Sequence, residues 1–238
     1  YKGDKNHAFW YFDKEMADAT EKYYANERGK TEQYIGFEQK GKLITYNPKS
    51  HVRMSPSFQP EADGVTFHLK AVYTDTLRNE YSKEHSTHPI RMSRICGPVE
   101  VVNDTTFTVR FYRMGLDNPK RTGGICLMAS VKQDHKYRSA VQQVEIRIPY
   151  RNKEGIPQRI IFPKLSDVKA SVKEISLNGT ADSGLPVYYY VKEGPAEIKG
   201  DKLVLTKIPS RAKFPVKVTV VAWQYGRSGE PKVQTAEA

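Results

Sequence analysis

GLPVYYYVKEGPAEI, residues 184–198, sets Tyr188, Tyr189 and Tyr190 in a row between Val187 and Val191. Successive side chains of a β-strand point to opposite faces, so Val187, Tyr189 and Val191 fall on one side and Tyr188 and Tyr190 on the other. The same alternation sorts VKVTVVAWQYG, residues 216–226. Val216, Val218, Val220 and Ala222 make an all-apolar face, while Lys217, Thr219, Val221, Trp223 and Tyr225 share the opposite one. Two strands of this kind, each with one wholly apolar face, predict a β-sandwich around them. Their second faces carry large rings that need a cover, and either a ligand or a neighbouring domain could supply it.

The pattern upstream is also β. QYIGFEQKGKLITY, HVRMSPSFQP, GVTFHLKAVYTDT, GPVEVVN, TTFTVRFYRM, GICLMASVK and AVQQVEIRIPY are short runs rich in Val, Ile, Thr, Phe and Tyr, separated by turn chemistry such as KGK, EADG and NPKRTGG. About seven strands between Gln33 and Tyr150 predict a sandwich or jelly-roll. Before them, Phe9, Phe12, Met16, Ala19 and Tyr23 recur every three or four residues, with Trp10 on an adjoining stripe, as on one amphipathic helix. Leu77 to Arg94 is polar, has no period and reads as the longest loop. The Asn152, Lys153, Glu154, Gly155 and Pro157 cluster reads as a linker. The expected class is therefore mainly β with two β-sandwich domains: residues 1–155, jelly-roll-like with one α-helix, and residues 156–238.

The second part resembles a bacterial immunoglobulin-like repeat of exported and surface proteins. The resemblance is carried by QRIIFPKL, SGLPVYYYV, GPAEIKGDKLVLT and VKVTVVAWQYG, which cover about a third of the chain. It implies an immunoglobulin-like fold, export to the periplasm, cell surface or medium, and a role as spacer or binding module without a catalytic set. In the same alignment of motifs Tyr189 falls at a core position, while Tyr188 and Tyr190 stand where small polar residues are usual. The order of RGKTEQYIGF, FQPEADGVTFHLKAVYTDT and RICGPVEVVNDTTFTVRFYRMG is similar to exported proteins of Bacteroidetes-type bacteria, a likeness that implies no activity.

Composition narrows the classes. The net charge is +11 over 238 residues. It is spread along the chain with no block that would serve as a nucleic-acid arm, and it favours polyanions weakly, which points to acidic or sulfated polysaccharide as partner. No run is long and apolar enough for a membrane helix. The chain opens on Tyr1 rather than Met, so a mature or excised form is expected, with a leader and an upstream catalytic domain of the same gene product missing. Cys96 and Cys126 lack CxxC spacing and form either one disulfide or two buried thiols.

His85 and His88 in EHSTH, with His68 and Asp75, lack a third ligand fixed by spacing, so no metal and no cofactor are expected. Glu61 and Asp63 read as turn residues, and Asp13 and Glu15 point to different faces of the helix. Tyr112, Arg113 and Asp117 cluster without defining a pocket, and no nucleophile elbow or phosphate loop is present, so no catalytic residue is assigned. The expected binding surface is an exposed aromatic and cationic patch of Trp223, Tyr225 and Arg227 with Tyr188 and Tyr190, stacking on sugar rings. The competing reading packs the same rings against the first domain. An enzyme, a glycan hydrolase or lyase with its site near the Leu77 to Arg94 loop, is the other alternative. A structural or protein-interaction module is the third.

Overall fold

The computed structural model describes residues 22, 25, 27–45, 54–75, 78–111 and 122–238. Of the expected N-terminal helix, Lys22, Ala25 and Glu27 are described and are helical; its apolar stripe, Trp10, Asp13 and Glu15 lie outside the described residues, as do Tyr112, Arg113 and Asp117.

The chain is mainly β, and its sheets pack around two hydrophobic cores. The strands before Tyr150 are β1 (Tyr34–Gln39), β2 (Lys42–Ile44), β3 (Thr66–His68), β4 (Lys70–Asp75), β5 (Glu80–Tyr81), β6 (Arg91–Cys96), β7 (Val99–Val101), β8 (Thr106–Val109), β9 (Thr122–Val131) and β10 (Ala140–Pro149). They form antiparallel sheets in the orders β2–β1–β4–β5, β10–β9–β6 and β3–β8–β7. Alternation explains the core. Ile125, Leu127 and Ala129 of β9 point inward with Val144, Ile146 and Ile148 of β10, and meet Phe37, Phe67 and Phe107 from the other two sheets.

The remaining strands are β11 (Ile160–Ile161), β12 (Glu174–Ser176), β13 (Thr180–Ala181), β14 (Tyr188–Glu193), β15 (Ala196–Lys199), β16 (Lys202–Leu205), β17 (Thr219–Gln224) and β18 (Ala236–Glu237). They pair as β11–β13, β12–β16–β15 and β14–β17–β18. The second core holds Leu177, Tyr189, Val191, Ala196, Leu203 and Ala222, with Val218 and Val220 packed on it. Tyr189 is buried there, as its alternation requires, and its hydroxyl accepts the N–H of Gly179 at 2.6 Å.

Two elements differ from the sequence reading. Residues 54–59 form no strand, and Pro60 makes only an isolated bridge to Phe67; Pro56 and Pro60 have no N–H to give a ladder. The supposed loop from Leu77 to Arg94 contains β5 and the start of β6, which is polar because it is the outer strand of its sheet. Between them, residues 82–90 are held by specific bonds. Gln33, buried, accepts the N–H of Ser86 through Oε1 at 3.1 Å and donates Nε2–H to the carbonyl of Arg138 at 2.6 Å.

Asp134 also holds this segment. Its carboxyl is drawn down to about 2, chiefly by the N–H of Tyr137 and then by the Ser86 hydroxyl. A carboxylate whose folded pKa lies below its unfolded value of about 3.9 contributes stability that is complete above that value and fades as pH falls through the folded one. On acidification from about pH 4 to about pH 2, backbone NMR signals of residues 82–90 should therefore shift together with the Asp134 carboxyl. The same signals should lose that titration in Asp134→Asn; titration persisting in the variant would place the responsible group elsewhere.

Candidate functional site

The aromatic residues singled out in the sequence meet on one sheet. In the β14–β17 ladder Tyr188 stands opposite Trp223, Tyr189 opposite Ala222, and Tyr190 opposite Val221. Tyr189 and Ala222 face the second core, whereas Tyr190, Trp223 and Tyr225 belong to the first. Trp223 and Tyr225 are 0% exposed and Tyr190 is 2% exposed. The faces were read correctly, but the expected exposure fails for these three: the cover is the first sandwich. Trp223 meets Phe111 edge-on at 5.0 Å, and Phe58 approaches Tyr225 edge-on at 6.1 Å. Tyr188, half-buried, lies tilted against Trp223 at 5.3 Å.

Polar groups close the joint around these rings. The Tyr225 hydroxyl donates to the carbonyl of Pro149, and burial pushes its pKa up, so it remains a neutral donor. Asn152 Nδ2–H donates to the Tyr225 carbonyl at 2.8 Å, and the Thr235 hydroxyl donates to the same oxygen at 2.6 Å. Gln224, fully buried, donates to the Pro186 carbonyl and accepts the N–H of Gly226. Arg151 pairs with Glu237. Gly64 and Gly226, both at positive φ (+76° and +83°), bring their backbones into contact across the joint, where a Cβ on Gly64 would overlap the Gly226 carbonyl. Arg227, partly exposed, is not a free cation over an aromatic surface: its Nη2–H donates to the Glu230 carbonyl at 2.8 Å within its own loop.

One open surface feature lies in the first sandwich. A groove of about 460 Å³ follows β4, lined by Glu38, Lys70, Tyr73, Tyr81, His85, His88 and Asp104. Alternation along KAVYTD puts Lys70, Val72 and Thr74 on one face, where Glu38 and Tyr81 stand opposite Lys70 and Thr74, and Ala71 and Tyr73 on the other, opposite the core residues Phe37 and Ile35. The segment 82–90 then brings His85 over Tyr73, their rings stacked at 4.1 Å and 8°. The Tyr73 hydroxyl donates to the His88 carbonyl at 2.8 Å, and burial raises its pKa. The Tyr81 hydroxyl donates to Glu38 Oε2 at 2.6 Å, a bond that holds its proton more tightly. His85 Nδ1–H donates to the Ser86 carbonyl at 2.7 Å, which leaves Nε2 as the acceptor of the neutral ring.

Asp104 accepts the N–H of Met92 at 2.8 Å and the Arg91 guanidinium at 2.7 Å; both lower its pKa, the Met92 bond more. It is thus an ionised acceptor, unsuited to donate a proton near neutrality. The arrangement offers two phenols, two imidazoles, a lysine and carboxylates to a polar ligand. The expected turn at Glu61 and Asp63 is present, with Asp63 Oδ1 accepting the N–H groups of Val65 and Thr66. His68 lies 3.6 Å from Glu61, away from His85 and His88 of the groove, and no group of three metal-ligating side chains occurs among the described residues. Sequence reasoning missed Tyr73, Tyr81, Glu38 and Lys70. The alternation of KAVYTD was a legible signal, but its pairing with β1 and β5 was not.

No protein-family model and no curated protein matches the sequence. Among solved structures, the protocadherin gammaB4 extracellular domain aligns with 86% of this chain and 34% of its own, at 12% identity and a TM-score of 0.28. Human protocadherin-24 EC1-2 aligns with 78% and 91% of the two chains, at 12% identity and 0.26. Drosophila N-cadherin EC1-4 aligns with 77% and 46%, at 13% and 0.24. The chain spans about a third of the gammaB4 domain it is compared with. Likeness this distant carries no weight for function. Among the described residues no helix is long and apolar enough to cross a membrane.

Proposed function

We propose that the chain is a stiff, non-catalytic β module of an exported protein, with a structural or protein-interaction role. It divides in sequence near Gly155 and holds a neighbouring part of the same gene product, such as an upstream catalytic domain, at a fixed position. One observation carries the reading: Tyr190, Trp223 and Tyr225 of the second sandwich are buried in the core of the first. An interface this apolar suppresses the relative motion that is the default between domains of one chain. Export and the immunoglobulin-like nature of residues 156–238 rest on the sequence resemblance. The test is the rotational diffusion of the whole chain by ¹⁵N relaxation. A single correlation time for strands of both sandwiches is expected, and separate times would end the reading.

Tyr81, 47% exposed, stands beside Glu38 and the Tyr73–His85 stack, and this favours a second reading. An exposed ring flanked by acceptors and donors suits a sugar. Under this reading the module binds polysaccharide at the groove rather than through the buried Trp223 face, and Lys70 with the net charge favours acidic or sulfated polymers. Affinity electrophoresis against neutral and acidic glycans should show retardation that Tyr81→Ala abolishes. Unchanged mobility on every polymer would remove it.

A further inference from the structure

We propose that Cys96 and Cys126 are a cross-strand disulfide site, whose oxidation locks the segment packed against the second sandwich. The two residues are direct partners in the antiparallel β6–β9 ladder. Opposed residues of such a ladder have Cα atoms about 4.5–5.5 Å apart, inside the roughly 4.4–6.8 Å that a disulfide spans. Directly opposed side chains also project to the same face. Here it is the outer one, since Cys126 lies between buried Ile125 and Leu127. Both thiols are free, Cys96 exposed and Cys126 partly exposed, so neither is a sealed core thiol.

The local backbone can accommodate a bridge. The ladder slips between Arg94 and Cys96, leaving Ile95 without a partner on β9, and such bulges occur where a strand is bent or ends. Cys96 is the last residue of β6, followed by Gly97 in a left-handed conformation against the Gly124 carbonyl. Burial, then the adjacent Cys96 thiol and the charge of Glu145, push the Cys126 thiol up. Exposed Cys96 is thus the better first nucleophile.

The co-reactant is a low-molecular-weight disulfide. The Cys96 thiolate attacks one sulfur of oxidised glutathione, forming a mixed disulfide and releasing one glutathione thiolate. Cys126, as it loses its proton, then attacks the Cys96 sulfur and expels the second. The protein loses two protons and two electrons, and one oxidised glutathione becomes two reduced ones. The closed loop contains β7, β8 and Phe111, the ring that meets Trp223 at 5.0 Å. A bridge therefore ties the joint's main aromatic contact to the β9 scaffold.

The experiment compares the whole chain after dithiothreitol and after oxidised glutathione. Intact mass should fall by two hydrogens, peptide mapping should find Cys96 joined to Cys126, and Tm should rise by about 5–10 °C. Cys96→Ser and Cys126→Ser should show neither the bridge nor the rise. Two glutathione adducts per chain, a disulfide-linked dimer, or two titratable thiols after oxidation would overturn the site. A bridge without a rise in Tm would overturn the lock.

Discussion

Trp223→Ala is expected to cost about 3–5 kcal/mol of stability, the range for removing a buried aromatic side chain, because Trp223 is 0% exposed and packed between Phe111 and Tyr188. The cavity would open between the two cores, so part of the loss should appear as uncoupling. Urea titration by circular dichroism should change from one transition toward two, with a lower m for each. Trp223→Phe separates packing from hydrogen bonding. Trp223 Nε1 is buried with no hydrogen-bond partner among the described residues, so the phenyl ring loses volume without orphaning an acceptor, and the cost should fall to about 1–2 kcal/mol. A Trp223→Ala variant as stable as the parent would mean that the joint adds nothing to the fold, and with it the proposed stiffness would be lost.

Gly64→Ala should be nearly as damaging, at about 3 kcal/mol or more, although it adds one methyl group. Gly64 has φ +76°, which already disfavours alanine, and the new Cβ would overlap the Gly226 carbonyl on the opposite sandwich. Gly226 cannot yield easily, since its own Cβ position is closed off by the carbonyl of Val233. Gly229→Ala is the matched control. Gly229 has no neighbour within 4 Å of its Cβ position and no left-handed φ, so its midpoint should stay within about 0.5 kcal/mol of the parent. Equal midpoints for the two alanine variants would show that the sandwiches do not approach this closely.

These predictions rest on faces that were legible in sequence and on a cover that was not. The two-residue period of residues 187–191 and 216–225 placed every ring on its correct side, because a packed strand cannot rotate without exposing its apolar set. What lies over a face is set by a chain segment a hundred or more residues away. Phe111, which meets both Trp223 and Tyr150, gave no sign in its own neighbourhood that it would. The groove was hidden for a similar reason: Tyr73 could be given a face by alternation, but its stack with His85 depends on a segment whose Ser86 is bonded by Gln33 and Asp134. Residues 54–60 failed differently. Their composition suited a strand, and the backbone chemistry of two prolines overruled it.

The β14–β17–β18 sheet works as a party wall, with apolar rings on both sides. Protease cleavage in the stretch Asn152 to Pro157 would break the chain without separating its tenants. Such a nicked molecule would run as two fragments on a denaturing gel yet elute as one body from a sizing column. Residues 156–238 transplanted alone into another protein would carry the bare side of the wall with them.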